Sequence, residues 1–244
     1  MLNLVSYMSS KYIQIIILAG VFGLQYLFEH IFPQRKEIND PKNERFNAVI
    51  GLLNVLLTLL PAMMMVRWVG FIRLKNFGLF NQFQLPFFLI IIFSILLLDA
   101  WMYAWHLLNH KITFLWRFHR FHHKDQKMNT TTALRFHIVE LLFSYPGKAM
   151  VLFIFGIGYV PLLIYEILFF TSVVIHHSNI YITEKVDNIY RKLFASPLMH
   201  RIHHSIILKE TNSNFGALFS FWDVLFKTGI KKTNDTIIFG VEDD

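Results

Sequence analysis

Residues 85–123 read LPFFLIIIFSILLLDAWMYAWHLLNHKITFLWRFHRFHH. From Leu85 to Leu108 the stretch is dominated by apolar side chains and carries one carboxylate, Asp99. It exceeds the about 20 residues a helix needs to cross a bilayer core. It then passes into a run of imidazoles: His106, His110, His119, His122 and His123. A span that delivers histidines to one membrane interface is therefore the unit around which the rest of the chain is arranged. Two apolar stretches precede it, 13–31 and 46–68, and one follows, 141–175. The last is too long for one crossing and is interrupted by Gly156, Gly158 and Pro161, which predicts a helical hairpin. Its arms, at roughly 15 residues each, are short for a span, and re-entrant arms buried in protein are an alternative. The first stretch meets no charge until Glu29 and lacks the layout of a cleaved signal, so it is expected to be retained. The expected fold is all-α, one multi-pass membrane domain over 1–244 with catalytic regions 106–140 and 176–228 outside the bilayer.

Composition agrees with that class. Of the 244 residues, 55% are hydrophobic and 16% charged, against roughly 25% charged in average soluble domains. The net charge of +7 is read as a membrane-face bias and not as a nucleic-acid surface. Six Lys and Arg lie between Lys111 and Arg135 and eight follow His177. Both regions are expected to face the cytoplasm, with the amino terminus on the opposite side. Cysteine is absent, so a metal would be held by nitrogen or oxygen, and there is no disulfide or thiol nucleophile.

The histidines supply the chemistry. HRFHH (119–123) and HRIHH (200–204) are near copies, each placing imidazoles at i, i+3 and i+4, and His106 and His110 share the i, i+4 relation. On helices these spacings put the rings on one face. A lone HxxxH is more often a surface feature, and one HRxHH alone could be a basic lipid-headgroup patch. Three boxes together offer eight imidazoles, more than one ion of coordination four to six can use, and point to a dimetal site. His30 is read as structural, and only one of the neighbours His176 and His177 can face a shared centre. Asp99, Tyr103, His106 and His110 fall within about 60° on a helical wheel, which gives Asp99 the expected role of accepting from an imidazole N–H. Glu140 could orient His137 in the same way, or pair with Arg135.

These residues resemble the fatty acid hydroxylase and sterol desaturase superfamily of integral-membrane di-iron oxygenases, over roughly 99–228. DAWMYAWHLLNH looks like the family's first box and LWRFHRFHH its second. TTALRFHIVE is similar to the segment with Arg135, His137 and Glu140, although Ile138 stands where proline is usual. HHSN maps onto the family's lone histidine and Asn, His177 and Asn179, and SPLMHRIHHS gives His200, His203 and His204. SNFGALFSFWDVLFKT looks like the closing segment, with Phe215 where tyrosine is common and Lys227 where glycine is common; Thr113 replaces a frequent proline. The resemblance implies two iron ions on ten ligands: His106, His110, His119, His122, His123, His137, His177, His200, His203 and His204. Asp99, Tyr103, Glu140 and Asn179 would support them.

The implied reaction is O2-dependent oxidation of an unactivated C–H bond in a lipid such as a sterol or fatty acyl chain, with hydroxylation first. Desaturation, or oxidation of a carotenoid or alkyl-ether lipid, is the alternative within the superfamily. Iron suits redox chemistry beside lipid better than zinc, the expected mis-metallation product. No haem, ferredoxin or dinucleotide motif is visible, so electrons are expected from a separate protein or reductant. A non-enzymatic metal transporter would place ligands near mid-membrane along a path, unlike these interfacial boxes. The carboxyl end, VEDD, is no organelle-retention signal, and with no long fused domain the expected setting is a bacterial inner membrane.

Overall fold

The computed structural model describes residues 4–230 and 236–242, with side chains from residue 13. Among the described residues eleven α-helices follow in order: α1 (Leu4–Ile31), α2 (Pro41–Leu74), α3 (Leu79–Gln82), α4 (Phe87–Lys111), α5 (Thr113–His123), α6 (Ile138–Phe155), α7 (Tyr159–His177), α8 (Glu184–Tyr190), α9 (Pro197–His203), α10 (Leu208–Thr211) and α11 (Phe221–Leu225). Among the described residues extended pairing is confined to isolated bridges, such as Pro33 with Ile180. Among the described residues five stretches are long and apolar enough to cross a membrane: 13–31, 41–82, 87–111, 138–155 and 159–177.

The third candidate span, 87–111, lies close to the stretch 85–108, the first helix begins earlier, at Leu4, and the second grows well past 46–68. Asp40 caps α2 by accepting from the amides of Lys42 and Asn43, and Pro41 sits at its first turn, so the helix starts where its unpaired N–H groups find an acceptor. At 34 residues α2 is about 51 Å long by the α-helical rise, and its ends extend beyond a bilayer core of about 30 Å. Leu52, Leu56, Leu60 and Met64 are mostly exposed on its outer side. Its inner side supplies Met65, Val69 and Ile72 to a core shared with Leu98, Leu152, Leu162 and Tyr165.

The hairpin forms at the expected glycines, but its arms are 18 and 19 residues and not about 15. Pro161 lies in the first turn of α7, where the ring removes no helical hydrogen bond. Gly156 ends α6 at φ +71, and across from it Gly78 stands at φ +94. A Cβ on Gly78 would lie 2.1 Å from the Gly156 amide nitrogen, so the two backbones touch where α2 leads into α3.

That contact fixes the end of the bundle remote from the histidines. The other end gathers the last turns of α1, α4 and α7 and the first turns of α2 and α6. There Glu29 of α1 accepts from the amides of Thr130 and Asn179, at 2.9 and 2.8 Å. Asp125 accepts from Asn43 and Asn47 of α2 and from Thr132, at 2.7 to 2.9 Å. Both carboxylates are fully buried, and each ties a span to the polar layer that holds the boxes.

Candidate metal centre

Nine imidazoles converge in two groups. His106, His110, His119, His123 and His203 form one, and His122, His177, His200 and His204 the other; within each, the nearest ring nitrogens all lie within 4.8 Å. The helical periodicity explains the division. On α5, His119 and His123 are four apart and join the first group, while His122 turns to the second. On α9 the assignment is reciprocal, with His203 entering the first group and His200 and His204 the second. α4 supplies only the first group and α7 only the second. The groups abut, since the rings of His123 and His204 stack at 4.3 Å between centroids.

The rings are held from behind. Nδ1 of His106 donates to the Phe215 carbonyl (2.9 Å), His122 to Arg135 (3.1 Å), His177 to Val173 (2.7 Å) and His203 to Ser213 (2.7 Å). A carbonyl accepts only, so each Nδ1 carries the proton and each Nε2 keeps its lone pair. The Nε2 atoms meet: that of His177 lies 2.9 Å from those of both His122 and His200, and those of His119 and His123 approach to 3.2 Å. Nε2 of His110 and His203 and both ring nitrogens of His204 are buried with no hydrogen-bond partner among the described residues. Converging, buried, neutral nitrogens without donors fit a cation in each group, and the donor set is one that iron, zinc, copper and nickel all accept.

Protonation would oppose this arrangement. Burial, followed by the neighbouring imidazoles, lowers His122, His123, His200, His203 and His204 well below the ordinary histidine value. An unfolded chain takes up protons at these positions near pH 6.5, and the folded one does not. Stability is therefore full above that pH and falls as pH drops below it. A metal-free sample unfolded by denaturant at stepped pH should lose stability from about pH 6.5 downward, and a flat profile across that range would contradict the burial of these rings.

The remaining predicted residues fall elsewhere. His137 belongs to neither group; its Nδ1 accepts from the Val139 amide at 3.2 Å and caps α6. His176 lies outside the groups too, although its ring is 3.9 Å from that of His200. Glu140 does orient an imidazole, but that of His119, at 2.9 Å from Nδ1, because the first turn of α6 faces α5. Arg135 does not pair with Glu140. Its guanidinium lies between the rings of Phe46 and Phe121, 5.2 Å from each, and 3.9 Å from Asp125.

Asp99 and Tyr103 touch no histidine in the hydrogen-bond network. Asp99 accepts from the amides of Leu218 (3.3 Å) and Phe219 (3.1 Å) and from Trp222 Nε1 (2.8 Å), and Tyr103 shares a hydrogen bond with Thr228. The polar stripe of α4 is thus a dock for the closing segment, whose free amides need acceptors. Asn179 bonds the backbone of Arg35 on both sides, N–H and carbonyl. His30 Nδ1 meets the Tyr26 carbonyl at 2.8 Å and Nε2 lies 3.4 Å from Glu44, and the ring belongs to neither group. Glu29 and Asp125 were not anticipated as supports; the signal was a carboxylate closing an apolar span and another two residues after a histidine box.

Glu140→Ala should weaken metal binding by about 10- to 100-fold, the usual cost of removing a group behind a ligand. Glu140→Gln keeps an acceptor for His119 and should lose less. Competition with a chelator measures both, and equal losses would remove the orienting role.

The fold and the site together define a multi-span helical membrane protein with two adjoining buried imidazole groups that could each hold a metal ion. The profile of the family described as Fatty acid hydroxylase matches residues 91–228, and the chain belongs to that family. It is 28% identical to ornithine lipid hydroxylase OlsE of Rhizobium tropici, over 83% of this chain and 62% of that protein. It is 30% identical to human cholesterol 25-hydroxylase, over 57% of this chain and 50% of the relative. To human alkylglycerol monooxygenase it is 25% identical, over 59% and 31%. The chain thus spans from about a third to three fifths of the length of these relatives. No solved structure matches it.

Proposed function

We propose that this protein is a di-iron, O2-dependent oxygenase that hydroxylates an unactivated C–H bond of a membrane lipid, using electrons from a separate carrier. The observation that carries this reading is the position of the two imidazole groups, buried at one end of a membrane bundle and facing a small cavity whose apolar wall is Met102, Trp105, Phe169 and Val173. The relatives are named for hydroxylation of lipids and sterols or for monooxygenation of alkylglycerols, which supports the same class of substrate.

Iron held by the two groups would supply activation of dioxygen and removal of hydrogen from carbon. The chain's own residues do the rest. The carbonyls of Phe215, Arg135, Val173 and Ser213 hold the rings in the tautomer that presents a lone pair, and Glu140 does so for His119. Phe169 and Val173 of α7 and Met102 of α4 shape an apolar approach for a lipid segment and exclude water from it. The proposed orientation is histidines to the cytoplasm. The α1–α2 connection and the first turns of α2 lie at the histidine side and add Arg35 and Lys36, then Lys42 and Arg45, to the basic residues already counted there. The proposed setting is a bacterial inner membrane.

The test is mass spectrometry of total lipids from cells expressing the wild type or an inactive-site variant under heavy-isotope dioxygen. A lipid that gains one heavy oxygen only with the wild type supports hydroxylation and names its substrate. A lipid that loses two hydrogens instead makes the reaction desaturation. No change, with metal present at both groups and a reductant supplied, would overturn the oxygenase reading.

A further inference from the structure

Asn109 and Glu140 line the cavity beside the two imidazole groups. They are 1% and 5% exposed, and Asn109 Oδ1 and Glu140 Oε2 have no hydrogen-bond partner among the described residues. The other end of each group is committed. Asn109 Nδ2 donates to the Trp105 carbonyl at 3.0 Å, which only the nitrogen can do, so the amide orientation is set and the oxygen is the free atom. Glu140 Oε1 accepts from His119. Buried acceptors without donors are rare and costly. Here two belong to residues that line one cavity beside the imidazole groups, Asn109 on α4 and Glu140 on α6.

We propose that this cavity is a subsite for a hydrogen-bond donor on the lipid, a hydroxyl or an amide N–H held by Asn109 Oδ1 within a few bonds of the carbon that is oxidised. The inference rests on the lipid-oxygenase reading and narrows its substrate class. The cavity measures about 70 Å³, well below the about 300–1,000 Å³ of pockets that enclose a drug-sized ligand, so it does not hold a whole lipid. Only a short piece of substrate enters, so the donor and the reacting carbon must lie close together on it. A bare hydrocarbon or the interior of a plain acyl chain would leave both oxygens unpaired. A site built to bond a polar group rejects an analogue lacking it far more strongly than an apolar pocket rejects a change in chain length.

Binding to the zinc-loaded protein tests this without turnover. Two matched pairs serve as probes: 1-hexadecanol with 1-methoxyhexadecane, and N-hexylpalmitamide with N-hexyl-N-methylpalmitamide. Each pair differs by methylation of the donor. The wild type should bind the donor of at least one pair about tenfold more tightly than its methylated partner, and the pair that discriminates tells hydroxyl from amide. Asn109→Leu should reduce that ratio to about threefold or less, while zinc content and affinity for the methylated probe stay unchanged. No discrimination by the wild type in either pair, or discrimination that survives in Asn109→Leu, overturns the proposal. Failure of the oxygenase reading shows separately, as iron-loaded protein that incorporates no heavy oxygen into any lipid while zinc-loaded protein still discriminates between the probes.

Discussion

His203→Ala is expected to abolish lipid oxidation and to lower the metal content toward one ion per chain, while the protein still inserts and its helix content is retained. The imidazole is fully buried, its Nδ1 is anchored on Ser213 at 2.7 Å, and its Nε2 is one of five nitrogens that converge on one group. Alanine leaves the Ser213 carbonyl without its donor and the first group one ligand short. The loss should exceed the about 10- to 100-fold that follows removal of a group behind a ligand. His137→Ala is the contrast. It removes a helix cap, at about 1 kcal/mol, and should leave the metal content at the wild-type value. Metal analysis of the purified variants decides both, and full metal content in His203→Ala, or loss in His137→Ala, would invert the ligand assignment drawn from the geometry.

The second large effect concerns a residue that touches no imidazole. Asp99→Ala should release the closing segment from α4, because two backbone amides and the Trp222 indole N–H would lose their acceptor in a buried setting. Each unsatisfied group costs about 1–3 kcal/mol, so the summed effect rivals that of a lost core side chain. Since the same segment presents the Phe215 carbonyl to His106, metal affinity should fall with it. Asp99→Asn keeps one acceptor oxygen and should fall between. Limited proteolysis of residues 215–228, followed against chelator concentration, separates the two readouts. A protected closing segment in Asp99→Ala would show that the carboxylate is not its anchor.

The spans were legible because lipid imposes a simple rule, a long apolar run, and the glycines of the hairpin marked its turn. The boxes were legible because metal ligation demands a residue type at a helical spacing. What the sequence left open was partner choice. A helical wheel places Asp99, Tyr103 and His106 on one face but does not say what packs there. The closing segment, more than a hundred residues later, bonds all three, Asp99 and Tyr103 through their oxygens and His106 through the Phe215 carbonyl. The same limit applied to Glu140, whose neighbour in sequence is His137 but whose neighbour in space is His119. Nor does the i, i+3, i+4 pattern reveal that each HRxHH triplet divides between two groups, since that depends on how α5 and α9 lie against each other.

That division sets an order for biosynthesis. His203 completes one group, and His200 and His204 complete the other, so both wait for residues 200–204 to leave the ribosome, long after α4 and α5 have been made. No span-by-span insertion intermediate can possess one finished centre and one unfinished one. A chain truncated before α9 would carry four of the five imidazoles of the first group and two of the four of the second. Completion of both groups therefore coincides with one short segment of the chain, a consequence of helix order alone.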